Sequence, residues 1–246
     1  MARPKSNLGP DVRGKPSTSE SGEPHVSSFD ETGRLARPGH RRDIEMREDL
    51  AAGGPAPATT QVADGLPRRA WTVGEIERMI EVGILREPEP FELIGGDLVA
   101  MASKDRRHEV LRTELALYWG DRRGRDLKIA SETPLRLGKH DAPEPDLIVF
   151  PASLQAPDVR ADTVLLVVEV ADSSLPADLN TKGPRYAAAG VREYWVINAR
   201  SRLTIVFREP RQTGEYGYRD ELQPTETLVP TLAPSLAVRL ADLGLG

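Results

Sequence analysis

Apolar and polar positions along the chain mark out a sequence of short elements. Thr72 and Glu75 have capping-box spacing, and Ile76, Met79 and Ile80 form an apolar stripe at helical period with Gly83 as a stop, which predicts a short helix. Two strand-like runs, Phe91–Ile94 and Asp97–Met101, flank Gly95-Gly96, a strong hairpin signal. By alternation Glu92 faces opposite to Phe91 and Leu93, which on pattern alone reads as a surface carboxylate of an edge strand. Arg107 to Trp119 reads as a helix with Leu111, Leu115, Tyr118 and Trp119 on one side and His108 near its start. Lys128–Ala130 and Thr133–Leu137 read as strands, with a turn at Gly138–Asp141 and an extended lead-in, Ala142–Pro145.

Two apolar runs then each carry one carboxylate. Asp146 opens the run Asp146–Phe150, and Glu169 lies near the end of Val164–Val170. The second run has no charge, Gly or Pro from Val164 to Val168, so it reads as a central strand buried on both faces. An unpaired ionised carboxylate there is costly to desolvate, so Glu169 needs a cation, a partner or water. Asp146 is the nearest candidate to share that cation, although it also reads as a simple strand cap, and Arg185 is a second partner for Glu169.

Beyond Asp172–Pro176 a helix runs to Ala189 and stops at Gly190. Its start at Asp178 or at Pro184 stays open, because Gly183-Pro184 lies inside the span with Lys182 beside it. Glu193–Ile197, Leu203–Phe207 and Glu215–Leu222 read as strands, and Leu236, Val238, Leu240 and Leu243 as a final strand or short helix against the core. Mixed order with one crossover helix indicates an α/β or α+β sheet domain.

Composition divides the chain. Residues 1–66 are polar and rich in Gly, Pro, Ser and Arg, too poor in apolar surface to offset chain entropy, and read as a disordered extension and linker before a domain at 67–246. The basic cluster Arg34, Arg37, His40, Arg41 and Arg42 reads as part of a solvated tail. The chain has no cysteine, which excludes disulfides, thiolate zinc sites and cysteine nucleophiles. A net charge of −5 gives no case for nucleic-acid binding from charge alone. With no apolar run of membrane length and no secretory leader, a cytosolic location is the default.

Two carboxylates on neighbouring strands with a lysine on the following helix make a site for a hard divalent cation, Mg²⁺ or Mn²⁺. Metal-assisted hydrolysis of a phosphodiester is the chemistry that set serves. A two-carboxylate glycosidase ranks behind it, since 5% aromatic residues leave few platforms for stacking sugar.

Phe91–Val99, His108, Pro145–Val149, Val167–Val170, Asp178 with Lys182, and Tyr186 before Gly190–Val196 occur in order from about Trp71 to the C-terminus. Together they resemble the Uma-two family of restriction-endonuclease-like proteins, a branch of the PD-(D/E)xK nuclease superfamily. The resemblance implies a restriction-endonuclease-like mixed sheet flanked by helices, with an N-terminal β-hairpin. It implies Asp146 and Glu169 as metal ligands. The superfamily's usual lysine position, two residues after the second acid, is Ala171 here, and Lys182 on the next helix matches the family's lysine. Glu92 and His108 match residues lining the same cleft, Glu92 as a third ligand. The implied activity is Mg²⁺-dependent endonucleolytic cleavage of DNA, and a two-fold homodimer would suit two scissile strands. The alternative is a weakly active or inactive nuclease-fold domain that binds nucleic acid or a protein. The Gly183-Pro184 pair weighs toward it if it turns Lys182 outward.

Overall fold

In this computed structural model the described residues are 59–61, 67–86, 90–101 and 104–244. All of them fall in one unit, Ala56–Gly246. The expected disorder of residues 1–58, with its basic cluster, lies outside the described residues, as do residues 62–66. Within the expected linker, Thr59–Gln61 (β1) pairs antiparallel with Pro67–Arg69 (β2), so regular backbone begins ahead of residue 67.

The helix α1, Val73–Glu81, begins as its sequence dictates. The Thr72 side chain accepts the Glu75 N–H and the Glu75 carboxylate accepts the Thr72 N–H. The hairpin follows, Phe91–Ile94 (β3) against Asp97–Ala100 (β4). Gly95 and Gly96 both take positive φ, 60° and 87°, which a two-residue turn of this kind requires.

Six strands form the main sheet: Leu127–Ser131 (β5), Leu147–Pro151 (β6), Leu166–Ala171 (β7), Glu193–Asn198 (β8), Thr204–Pro210 (β9) and Tyr216–Leu222 (β10). Their order is β10-β9-β8-β7-β6-β5, and only the β7–β8 pair is parallel. Every residue of β7 is buried, Glu169 included, as the apolar run around it predicts for an interior strand covered on both faces. Alternation divides it: Leu166, Val168 and Val170 join Leu147, Val149 and the helix α2, Arg106–Arg122, through Leu111, Leu115 and Trp119. Val167 and Ala171 face the opposite way, with Ile148, Phe150, Tyr194 and Tyr186. On the first face the buried Trp119 indole N–H donates to the Leu236 carbonyl at 2.7 Å. Leu236, Val238, Leu240 and Leu243 close that core through short 3₁₀ turns and a bridge between Leu228 and Val238, where the pattern predicted a strand or helix.

Two further expectations are corrected. Thr133–Leu137 is not a sheet strand. Pro134 has no N–H, and the N–H groups of Leu135 and Leu137 turn back to the Pro143 and Asp141 carbonyls. Gly183-Pro184 does not break the helix. Leu175–Ala177 (α3) passes through a π-turn, Asp178–Lys182, into Gly183–Ala189 (α4). The wider turn receives a proline that lacks the N–H and whose ring would otherwise strike the preceding turn. Gly190 then ends α4 at φ 87°, in the left-handed conformation. Among the described residues no helix is long and apolar enough to cross a membrane.

Candidate functional site

The β6–β7 register ends at the Leu147–Val168 pair, and Asp146 and Glu169 are the next residues on the two chains. Asp146 lies just past the start of β6, so its side chain is not set by strand alternation; it turns to the Val170 N–H and to His108 on α2, while Glu169 turns to Tyr186 and Lys182. Pro145, with no N–H to give, precedes Asp146 where the ladder stops. The Asp146 N–H points at Glu169 Oε2 at 3.4 Å.

Each acid is held by its own partners. Asp146 Oδ2 accepts the Val170 N–H at 2.7 Å and lies 2.9 Å from His108 Nε2. An ionised carboxylate only accepts, so His108 carries its proton on Nε2. His108 sits in the first turn of α2, where its N–H is capped by Asp105 at 2.8 Å. Asp146 Oδ1 faces Lys104 Nζ at 3.0 Å. Glu169 Oε1 accepts from Lys182 Nζ and from the Tyr186 hydroxyl, both at 3.1 Å. Lys182 also donates to Glu92 Oε1 at 2.8 Å and lies 3.7 Å from Asp178 Oδ1. Glu92 Oε1 accepts a second bond from the Glu144 N–H at 2.7 Å.

Asp146, Glu169, Lys182, Glu92 and His108, picked out separately along the sequence, therefore meet in one place. The strand pattern that read Glu92 as a surface group is overturned, since it is buried at 7% exposure. Arg185 does not pair with Glu169; it faces Asp141 at 3.1 Å. The helix carries Lys182 inward, its side chain 14% exposed. Two cations were not foreseen as a pair. Lys104 precedes α2 with no periodic or motif signal, and only the fold brings it to Asp146.

Charge is unbalanced here. Four buried carboxylates, Glu92, Asp146, Glu169 and Asp178, face the ammoniums of Lys104 and Lys182. Burial, with the charges of Asp178, Asp146 and Glu92, pushes Glu169 well above the usual carboxylate range despite Lys182. Asp178 is raised by burial as well, and its buried Oδ1 has no hydrogen-bond partner. Burial opposes the charge of Asp146, but His108, Lys104 and the Val170 N–H hold its pKa below the ordinary value. Burial likewise opposes the charge of Lys182, and its three carboxylate neighbours outweigh that and raise it.

An all-oxygen donor set in charge deficit fits a hard divalent cation. Among the described residues no group of three or more His, Asp or Glu is arranged to hold a metal ion. Glu92 is turned to Lys182 and the Glu144 N–H. Mg²⁺ takes one or two protein carboxylates while keeping several waters, a count that the adjacent Asp146 and Glu169 meet. The acids open on a cavity of about 320 Å³ walled by the β3–β4 hairpin, the start of α2 and the π-turn. A larger, mostly apolar cavity of about 850 Å³ lies beside it, between α1, β3 and residues 132–136, with Lys104 and Glu144 lining both.

The profile of the family described as "Uma2: Putative restriction endonuclease" matches residues 74–241. A crystal structure of "a putative nuclease belonging to DUF820 from Anabaena variabilis ATCC 29413" superposes with a TM-score of 0.54 at 19% identity, covering 67% of this chain and 96% of that one. At that identity the likeness concerns the fold. No curated protein matches the chain.

Proposed function

This chain belongs to the Uma2 family, described as putative restriction endonucleases, and from that premise we propose that it hydrolyses phosphodiester bonds in DNA with Mg²⁺ or Mn²⁺ as cofactor. The observation that carries the reading is that Asp146 and Glu169 meet at the end of the β6–β7 ladder and line one cavity, the Asp146 N–H 3.4 Å from Glu169 Oε2 and Lys182 Nζ 3.1 Å from Glu169 Oε1. In this reading Asp146 and Glu169 hold the ion. Such an ion, when bound, supplies neutralisation of the phosphate and a water of lowered pKa.

The chain's own groups do the rest. His108, through Nε2–H, fixes the direction of Asp146. Tyr186 does the same for Glu169. Lys182 is held by Glu92 on its far side. Its raised pKa keeps it an ammonium, so it serves as donor and charge toward the phosphate oxygens rather than as a base.

Nicking of supercoiled plasmid tests this. Cleavage is expected with Mg²⁺ or Mn²⁺, none in EDTA, and none above background for Asp146→Asn, Glu169→Gln or Lys182→Met. Absence of cleavage of any DNA with either ion would reject the enzymatic reading. A second reading, a nuclease fold that only binds nucleic acid or a protein, draws on one observation: Lys182 is already engaged by both Glu92 and Glu169. In that case the three variants bind DNA as the parent does and none of the four proteins cuts.

A further inference from the structure

Next to Asp146 lies a second group of charges that the proposed reaction leaves unused. Lys104 Nζ is 2.6 Å from Glu132 Oε1, and the other Glu132 oxygen is 3.7 Å from an Arg112 guanidinium nitrogen. Arg112 also donates to Glu109 Oε2 at 2.5 Å. The cations are the more enclosed partners: the side chains of Lys104 and Arg112 are 20% and 15% exposed, those of Glu132 and Glu109 39% and 40%. Arg112 Nε is buried and has no hydrogen-bond partner.

Glu132 is also held oddly. It follows β5 at φ 49°, a left-handed conformation that is uncommon for a residue other than Gly, Asn or Asp. Such positions cluster at functional sites. The carboxylate sets one oxygen toward each cation, as two oxygens of a phosphate would. Arginine's planar fork and lysine's point charge are the usual recognition pair for that group. An exposed carboxylate on such a pair contributes little and swings into water at small cost.

We propose that Lys104 and Arg112 form a subsite for a backbone phosphate of the nucleic acid beside the Asp146–Glu169 pair, and that Glu132 fills it in the free protein. The subsite rests on the nuclease reading and deepens it. Lys104, 3.0 Å from Asp146 Oδ1, stands on the Asp146 side of the cleft, and Lys182 on the Glu169 side. A strand crossing the acids then meets a cation at each end of its path. Arriving phosphate displaces the Glu132 carboxylate, and no covalent step is involved.

Binding of a short duplex DNA oligonucleotide, followed by fluorescence anisotropy in EDTA over a series of salt concentrations, tests this without any need for cleavage. Lys104→Ala and Arg112→Ala should each lower the slope of log affinity against log salt by about 0.9, one phosphate contact. Glu132→Gln, a change at an accessible side chain, should tighten binding roughly two- to fivefold. That gain should vanish in the Glu132→Gln/Lys104→Ala double variant. If the parent protein binds and Glu132→Gln is neutral with slopes unchanged, the subsite is wrong and the nuclease reading stands. If the parent fails to bind DNA even at low salt, both fall.

Discussion

Replacing Lys182 by methionine removes one ammonium and keeps most of the stem. In metal-free protein it leaves Glu92, Glu169 and Asp178, whose side chains are at most 7% exposed, without their shared cation. Removing one partner of a buried pair costs about 3–5 kcal/mol. A domain of this size loses roughly 2–4 °C of melting temperature per kcal/mol, so the variant should melt roughly 6–20 °C below the parent. The loss should depend on pH. Burial raises both Glu169 and Asp178, Glu169 well above its ordinary value, and toward acid they take up protons, so the deficit shrinks. The cost grows as pH rises and these acids ionise. A divalent ion should then restore more stability to the variant than to the parent, since Lys182 no longer repels it. A site filled at about 100 times its dissociation constant contributes about 2.7 kcal/mol. The assay is thermal unfolding by circular dichroism, in EDTA and in Mn²⁺, across pH. A variant that melts within about 2 °C of the parent in EDTA at every pH up to the alkaline end of the series would show that Lys182 is not what holds these acids together.

Three other outcomes are expected. Glu169 has a raised pKa in the folded state, so from the ordinary carboxylate range upward the native protein binds a proton that the unfolded chain has released, and stability falls as pH rises through that window. Metal-free Glu169→Gln should lose that downward slope in denaturant titrations, and an unchanged slope would contradict the assignment. Asp141 accepts the Gly95 N–H at 2.7 Å and faces Arg185 at 3.1 Å, tying the hairpin tip to α4; Asp141→Ala should cost on the order of 1–2 kcal/mol and speed amide exchange in 91–100, with α2 unaffected. Glu193 is 1% exposed and accepts from Arg208, the Trp195 indole and the Thr231 N–H. Glu193→Ala should cost about 3 kcal/mol while plasmid cleavage per folded molecule stays constant, which separates fold from site.

The parts of this structure that could be read from the chain are those fixed locally. Thr72 and Glu75 state a helix start, Gly95-Gly96 a hairpin, and Val164–Val168 an interior strand, because each depends on neighbours within a few residues. Glu169 could be flagged for the same reason: a carboxylate in such a run needs a partner. The partner itself could not be read, since Lys182 and Arg185 lie within three residues of each other on the same segment and only the seating of the helix chooses. Pro184 misled because sequence rules price it against a regular helix, and the π-turn evades that price. Thr133–Leu137 has strand composition, but its hydrogen bonds go to 141–143, a choice set by the turn between them. Lys104 and Glu132 are 28 positions apart in the chain and carry no pattern; nothing short of the fold joins them.

The position two residues after Glu169 is Ala171, wholly buried, and the lysine rides instead on the π-turn between α3 and α4. Acid and ammonium are therefore mounted on separate parts. Their spacing follows how the helix is docked rather than the geometry of one strand. Because the π-turn holds an extra residue, deleting a single position there would turn Lys182 by about 100° relative to the sequence before it. If the proposed nuclease reading holds, its reactivity is adjustable by the seating of one helical segment, with the sheet and its two acids left untouched.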